Sequence, residues 1–155
     1  MKKYKYKDYE SYKEAQNRAY IRKKANVFVD KNEVDILICD YIFKFFLNGY
    51  PKDKEINVLC HGVRNGREVT LFSEALFDRG YEQTKVIGTE IGDKSSKKLE
   101  LEGEIIEWDF HKVKEEWIGN IDIIYSNSFD HTIDPYKTLQ TWKEQLKDDG
   151  MSCID

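Results

Sequence analysis

The chain has 155 residues, 40% of them hydrophobic and 35% charged, which is enough for one domain with its own core and too little for two comfortable ones. Its formal net charge is −4, so no global positive field draws it to nucleic acid, and the basic MKKYKYK start reads as a local, solvated patch. Cys39, Cys60 and Cys153 form no CxxC pair, which points to a reduced, cytoplasmic setting without a disulfide framework or metal knuckle, and no apolar run approaches the ~18 residues of a membrane span.

Residues 9–24 read as a polar helix with a thin stripe of Tyr9, Tyr12, Gln16, Ala19 and Tyr20. A second helix carries Val34, Leu37, Ile38, Tyr41, Ile42, Phe45 and Phe46 at helical spacing, with Asn32 as its N-cap and Asn48-Gly49 as its stop. Its aromatics are expected in the core. After Pro51, residues 56–60 form the first strand, which breaks into a turn containing Gly62 and Gly66. A helix over 68–79 follows, with Val69, Leu71, Phe72, Ala75 and Leu76 inward and Gly80 beyond its end. Residues 85–91 form the second strand, and Gly92-Asp93 opens a short polar helix. The third strand, 104–108, runs into Asp109-Phe110-His111, and a short element holds Trp117 and Ile118. The fourth strand, 121–125, ends in Ser126-Asn127. Asp134-Pro135 starts the last helix, as N-cap and first-turn proline; Leu139, Trp142 and Leu146 give it a buried face, Asp149-Gly150 ends it, and 151–154 begin a fifth strand.

Strands alternating with helices predict an α/β fold, a doubly wound, mainly parallel sheet of about five strands with two N-terminal helices. The chain reads as one domain, with helices in 1–50 and the sheet from 55 onward. Right-handed crossovers place every parallel strand's C-terminus on one edge. Residues 60–66, 90, 109–110 and 126–131 all fall there.

The two glycines allow a tight turn and close approach of a ligand to the amides of the following helix; a bare structural turn explains them equally. Glu90 ends the second strand, 24 residues after Gly66 (90 − 66). An acid there accepts from both hydroxyls of a ribose; the alternative is a surface acid near a helix start. Asp109 ends the third strand, where an adenine amine would meet its carboxylate and Phe110 would offer an amide and an apolar wall, unless Asp109 is simply a turn residue.

As a set, VLCHGVRNGREV, VIGTEI, IIEWDFH and IDIIYSNSFDHTIDPYKTLQTWKEQLKDDG resemble the Rossmann-like S-adenosylmethionine-dependent methyltransferases, nearest the small-molecule, type 11-like branch. The resemblance spans about residues 55–155. It implies S-adenosylmethionine as cofactor and a small-molecule methyl acceptor. It places Cys60, His61, Gly62, Val63, Arg64 and Gly66 beside the methionine portion, Glu90 and Ile91 at the ribose, Asp109 and Phe110 at the adenine, and Ser126 and Asn127 beside the methyl donor. The chain departs from the family at Cys60, where an acid is usual, and at Arg64, where a glycine is usual. Arg64 would either pair with Glu68 or grip the cofactor's carboxylate.

The family's sheet continues past the fifth strand into a β-hairpin, for which this sequence has no counterpart. The fifth strand is therefore expected as an edge: either a partner or a second copy covers it, or this is a truncated domain. Candidate bases are His131 and Asp130, with His111 further off. Asn127 with Phe129 is similar to the Asn-Pro-Pro-aromatic motif of amino-methylating enzymes, but both prolines are absent. Two other readings remain: a cofactor-binding protein without methyl transfer, and a nicotinamide-dependent reductase. The second is disfavoured because Gly-x-Gly-x-x-Gly is missing.

Overall fold

The computed structural model describes residues 6–24, 33–64, 66–91, 97–98 and 103–154. Two helices come first, α1 (Tyr9–Lys24) and α2 (Glu33–Phe45). They are followed by β1 (Ile56–His61), α3 (Arg67–Asp78), β2 (Thr84–Glu90), β3 (Lys97–Lys98) and β4 (Gly103–Glu107). After a 3-10 turn at Glu115–Trp117 come β5 (Ile121–Ser126), a second 3-10 turn at Phe129–His131, α4 (Pro135–Gln145) and β6 (Leu146–Ile154). The strand order is β3-β4-β2-β1-β5-β6. β4, β2, β1, β5 and β6 are mutually parallel, and the two-residue β3 runs antiparallel to β4. The doubly wound parallel sheet read from the sequence is therefore the fold. No helix among the described residues is long and apolar enough to cross a membrane.

β1 and β5 are adjacent inner strands; all their residues but Asn57 are buried and most are apolar, as expected for parallel strands covered on both faces. The alternation of a strand sends Val58 and Cys60 toward α2 and α3, and Leu59 toward α4. On the first face Val69, Phe72 and Leu76 of α3 meet Ile42 and Leu47; on the second, Leu59, Ile87 and Ile124 meet Phe110, Trp117 and Trp142. Gly88 sets the spacing of the first layer. A Cβ there would lie 2.6 Å from a Val63 methyl and 2.7 Å from a Val69 methyl.

Three expectations are corrected. In α2, Ile42 is buried while Leu37, Tyr41 and Phe45 are 66%, 53% and 60% exposed. The helix is apolar almost all round, so periodicity alone left the buried arc undecided. α3 decides it: Arg79 lies over the Phe43 ring at 4.1 Å and bonds Asp40 at 2.9 Å, and Tyr41 and Phe45 pack on each other outside. The side chain of Val34 and the cap Asn32 lie outside the described residues.

In α4, Asp134 does cap the helix, accepting from the Lys137 N–H at 3.1 Å, and Trp142 is buried. Leu139, however, is exposed and Leu146 already lies in β6; the inward face is Thr138, Thr141, Trp142 and Gln145. The polar members can be buried because backbone carbonyls accept from them: Asp134 from Thr138 at 2.7 Å and His111 from Thr141 at 3.3 Å. Asp149-Gly150 is an irregular step inside β6 rather than a helix stop. Leu146 pairs with Ile121 and Met151 with Ile123, and buried Asp122 receives Lys147 Nζ at 2.8 Å, fastening the start of β6.

The short polar helix expected from Gly92-Asp93 falls mostly outside the described residues. Its part at Lys97–Lys98 is strand. β6 is the outer strand on its side of the sheet.

Candidate cofactor site

The turn after β1 is built from left-handed backbone. Gly62 has φ 75°, Arg64 φ 46° and Gly66 φ 81°, and Gly66 stands at the N-terminus of α3. Glycine is required at position 62 twice over: its φ is left-handed, and a Cβ would lie 2.6 Å from Ser128 Cβ. The Gly62 and Val63 amides donate to Thr89 O at 2.8 and 3.1 Å. This brings the turn against the end of β2. Arg64 takes the left-handed conformation without being glycine, and its side chain is exposed. Glu68, the alternative partner read from the sequence, accepts instead from Asn127 Nδ2 at 2.6 Å.

Glu90 ends β2 and is held by backbone. Its Oε2 accepts from the Arg64 N–H at 2.8 Å and its Oε1 from the Ile91 N–H at 2.9 Å. Each carboxylate oxygen has two acceptor positions, so one on each remains to receive a pair of hydroxyls. Its half-exposed position leaves that side accessible. The geometry fits a vicinal diol.

The side chains of Cys60, His61 and Val63 do not line this edge; all three are buried. Cys60 faces the α3 layer. His61 turns the other way, stacks on Trp142 at 4.9 Å between centroids, and its Nδ1 lies 2.8 Å from Thr89 Oγ1. Its Nε2 faces Gln145, yet neither Nε2 nor Gln145 Oε1 closes a hydrogen bond of ordinary geometry. Burial drives its pKa down to about 3, so the ring stays neutral. Of Cys60, His61 and Val63, only the backbone is available to a ligand.

At the end of β4, Asp109 is 9% exposed. Its Oδ1 accepts from the His111 N–H at 3.0 Å and meets His111 Nδ1 at 2.6 Å; its Oδ2 accepts from the Tyr9 hydroxyl of α1. Burial opposes ionisation, but the hydrogen bonds from His111 and Tyr9 outweigh it and hold the carboxyl at about 2. His111 Nε2 receives the Ile133 N–H at 3.2 Å and lies 2.9 Å from Thr132 Oγ1. An N–H aimed at Nε2 makes it an acceptor, so Nδ1 carries the proton toward Asp109. His111 thus ties the β4 end to the segment after β5 and has no ring nitrogen free for a substrate. Phe110, expected as an adenine wall, is 7% exposed and packs into the α4 layer near Trp142.

At the end of β5, Ser126 is buried and donates to His61 O at 2.9 Å. Asn127 joins Glu68 to Ser128, whose hydroxyl also reaches Gly62 O at 3.1 Å. Asp130 is exposed, and His131 Nε2 stands 3.7 Å from its carboxylate. The structure therefore gathers Gly62, Arg64, Gly66, Glu90, Asp109, Ser126 and Asn127 on one edge. His131 and Asp130 lie on the 3-10 turn just beyond it.

The sequence reading missed Tyr9 and Tyr12 as parts of this edge and placed His111 too far out. The stripe of Tyr9 and Tyr12 was visible as a pattern; where it docks was not. Tyr12 is 1% exposed and meets the His111 ring edge-on at 5.4 Å. Both phenols are pushed upward, chiefly by burial and then by Asp109.

No protein-family model and no curated protein sequence matches the chain. Solved structures do. A protein of Methanococcus maripaludis assigned as an S-adenosyl-L-methionine-dependent methyltransferase aligns over 99% of this chain with TM-score 0.56 and 16% identity. The plantazolicin methyltransferase BpumL, solved with a triazolic desmethylPZN analog and SAH, aligns over 95% with TM-score 0.63 and 16% identity. The DszA carbon methyltransferase aligns over 86% with TM-score 0.58 and 13% identity. The chain spans 66%, 53% and 38% of those three proteins, respectively. Its fold is the Rossmann-like methyltransferase fold. At these identities the likeness establishes architecture alone.

Proposed function

We propose that this chain binds S-adenosylmethionine and passes its methyl group to a small-molecule acceptor. The observation that carries the reading is Glu90: a carboxylate at the end of β2, oriented by the Arg64 and Ile91 amides, with an acceptor position open on each oxygen. Asp109 follows β4, the neighbour of β2 in the sheet, and is our candidate for meeting an adenine amine once its present partners give way. Arg64, exposed on the turn, suits the carboxylate of the methionine portion.

The sulfonium supplies an electrophilic methyl and a neutral thioether leaving group. What remains for the protein is positioning and, for a protonated acceptor, removal of a proton. Glu90 and the glycine turn would fix the donor, with Ser126 and Asn127 beside it. His131 is our candidate for taking the proton, with Asp130 alongside. Both lie at the open rim of the edge, where an acceptor would arrive.

A second reading, binding without transfer, is favoured by the same geometry, because the His131–Asp130 pair is loose at 3.7 Å and turned to solvent. Two experiments separate these readings. Isothermal calorimetry should show S-adenosylhomocysteine binding, and Glu90→Ala should weaken it by about 100-fold, the loss of charge-assisted bonds to two hydroxyls. No binding, or binding of nicotinamide nucleotides instead, refutes the cofactor assignment. Transfer of a labelled methyl group to small molecules of a cell extract then distinguishes enzyme from binding module.

A further inference from the structure

Asp109 is the only one of the two proposed cofactor acids that is closed off. Both acceptor positions on its Oδ1 are taken, by the amide and the ring of His111 at 3.0 and 2.6 Å. Its Oδ2 holds the Tyr9 hydroxyl. Lys112 Nζ lies 4.0 Å from that oxygen and 5.4 Å above the Tyr9 ring, closing the remaining side. At 9% exposure the carboxylate is covered from the direction of α1.

Beyond Tyr12, α1 runs through Lys13, Glu14, Gln16, Asn17 and Arg18, a sequence that is marginal as an isolated helix in water. Among its described side chains, two aromatics one turn apart hold it to the sheet edge. Tyr9 reaches Asp109, and buried Tyr12 sets its ring edge-on against His111. His111 in turn is locked to Thr132 and Ile133 at the opposite side. One end of the contact is fastened into the sheet edge through His111, and the other is a polar helix carrying Tyr9 and Tyr12.

We propose that α1 is a gate on this site: Tyr9 occupies the Asp109 oxygen that an adenine amine would use, and the nucleoside gains that oxygen only as Tyr9 leaves it. The proposal rests on the cofactor reading above and goes beyond it, because it makes closure by the N-terminal helix compete with ligand rather than accompany it. A site whose competent form is a minority shows an affinity reduced by that fraction. Nothing is required of the ligand except an amine or hydroxyl donor at the β4 end. A nucleoside whose base carries an exocyclic amine meets that requirement.

The test uses the full chain, S-adenosylhomocysteine as the probe, and the variant Tyr9→Phe, which keeps the ring and removes the hydroxyl. Without ligand, hydrogen exchange should quicken across residues 9–24 in Tyr9→Phe while β1 and β2 keep their protection. With ligand, calorimetry should show Tyr9→Phe binding about 10-fold tighter, the effect expected when a hydrogen bond to a charged group stops holding the closed form. Saturating the unmodified protein should also loosen exchange across α1. Equal binding by Tyr9→Phe overturns the gate, and weaker binding overturns it and makes Tyr9 part of the ligand's own site. Unchanged exchange over α1 in the ligand-free variant overturns it as well. Absence of binding by both proteins overturns the cofactor reading and the gate together.

Discussion

The contact between Gly62 and Ser128 can be tested quantitatively. Gly62→Ala adds one methyl group at φ 75°, aimed at Ser128, whose Cβ and Oγ would lie 2.6 and 2.9 Å away. Two costs arise. Forcing an L-residue into left-handed backbone costs about 1–2 kcal/mol, and crowding a well-packed contact costs ~1–3 kcal/mol. Against these, alanine restricts the unfolded chain and returns roughly 0.4–1 kcal/mol. The net expectation is a loss of about 2–4 kcal/mol, which for a domain of this length is a Tm lower by roughly 5–15 °C. The steric share can be isolated, because Ser128→Gly removes the atoms in the way. In a double-mutant cycle read by urea unfolding and far-ultraviolet circular dichroism, Gly62→Ala in the Ser128→Gly background should cost about 1–2 kcal/mol less than in the native one. Additivity within ~0.5 kcal/mol would refute the clash and leave only the backbone cost.

Three further outcomes follow from buried polar groups and the turn. Asp122→Ala removes the shared partner of Lys147, Tyr50 and the Asn57 amide and should lower stability by about 3 kcal/mol in urea unfolding, within the range for breaking a buried pair; a loss under ~1 kcal/mol would show that Lys147 simply swings into water. His61 has its pKa lowered from 6.5 to about 3, so the unfolded chain binds the proton that the folded one refuses. Its contribution is therefore nil above pH 6.5 and becomes destabilising as pH falls toward 3, with a slope of up to about 1.4 kcal/mol per pH unit. Unfolding at pH 7 and pH 4.5 should show this slope reduced in His61→Gln, and equal slopes would exclude a buried neutral imidazole. Asp109, at about 2, loses its contribution only below its unfolded value of 3.8, so the two windows are separable. Arg64→Gly relieves the left-handed strain at φ 46° and should leave the protein as stable or up to about 1 kcal/mol more stable; a clear loss of stability would mean that the Arg64 side chain holds the turn.

The legible parts of this fold were those where local chemistry and global position demand the same residues. The buried runs of β1 and β5 and the Asp134-Pro135 start of α4 each favour the local conformation they adopt, and the glycines around Arg64 are the residues that enter left-handed backbone at least cost. Glu90 and Asp109 were readable as edge residues for the same reason: a parallel sheet brings strand ends together whatever lies between them. The failures have a common cause too. α2 is apolar around most of its circumference, so its buried arc depended on α3 and on Arg79. The inward face of α4 is rich in threonine and glutamine, which bury because the Asp134 carbonyl receives Thr138 and carbonyls of the β4 loop receive Thr141 and Gln145. His61 looked like a ligand by its place in the turn, yet the alternation along β1 turns it inward against Trp142.

By itself, then, the sequence determined the parallel sheet, the order of its elements along the chain, and the edge where the strand ends converge. Periodicity, capping and turn chemistry are local properties, and they suffice for that. Tertiary structure alone decided what occupies the edge. Which way His61 points, which nitrogen of His111 carries the proton, and that Tyr9, 100 residues away in sequence, holds Asp109 all depend on contacts between distant segments. No local pattern encodes such contacts, because their energies arise only once the sheet has brought the partners within reach.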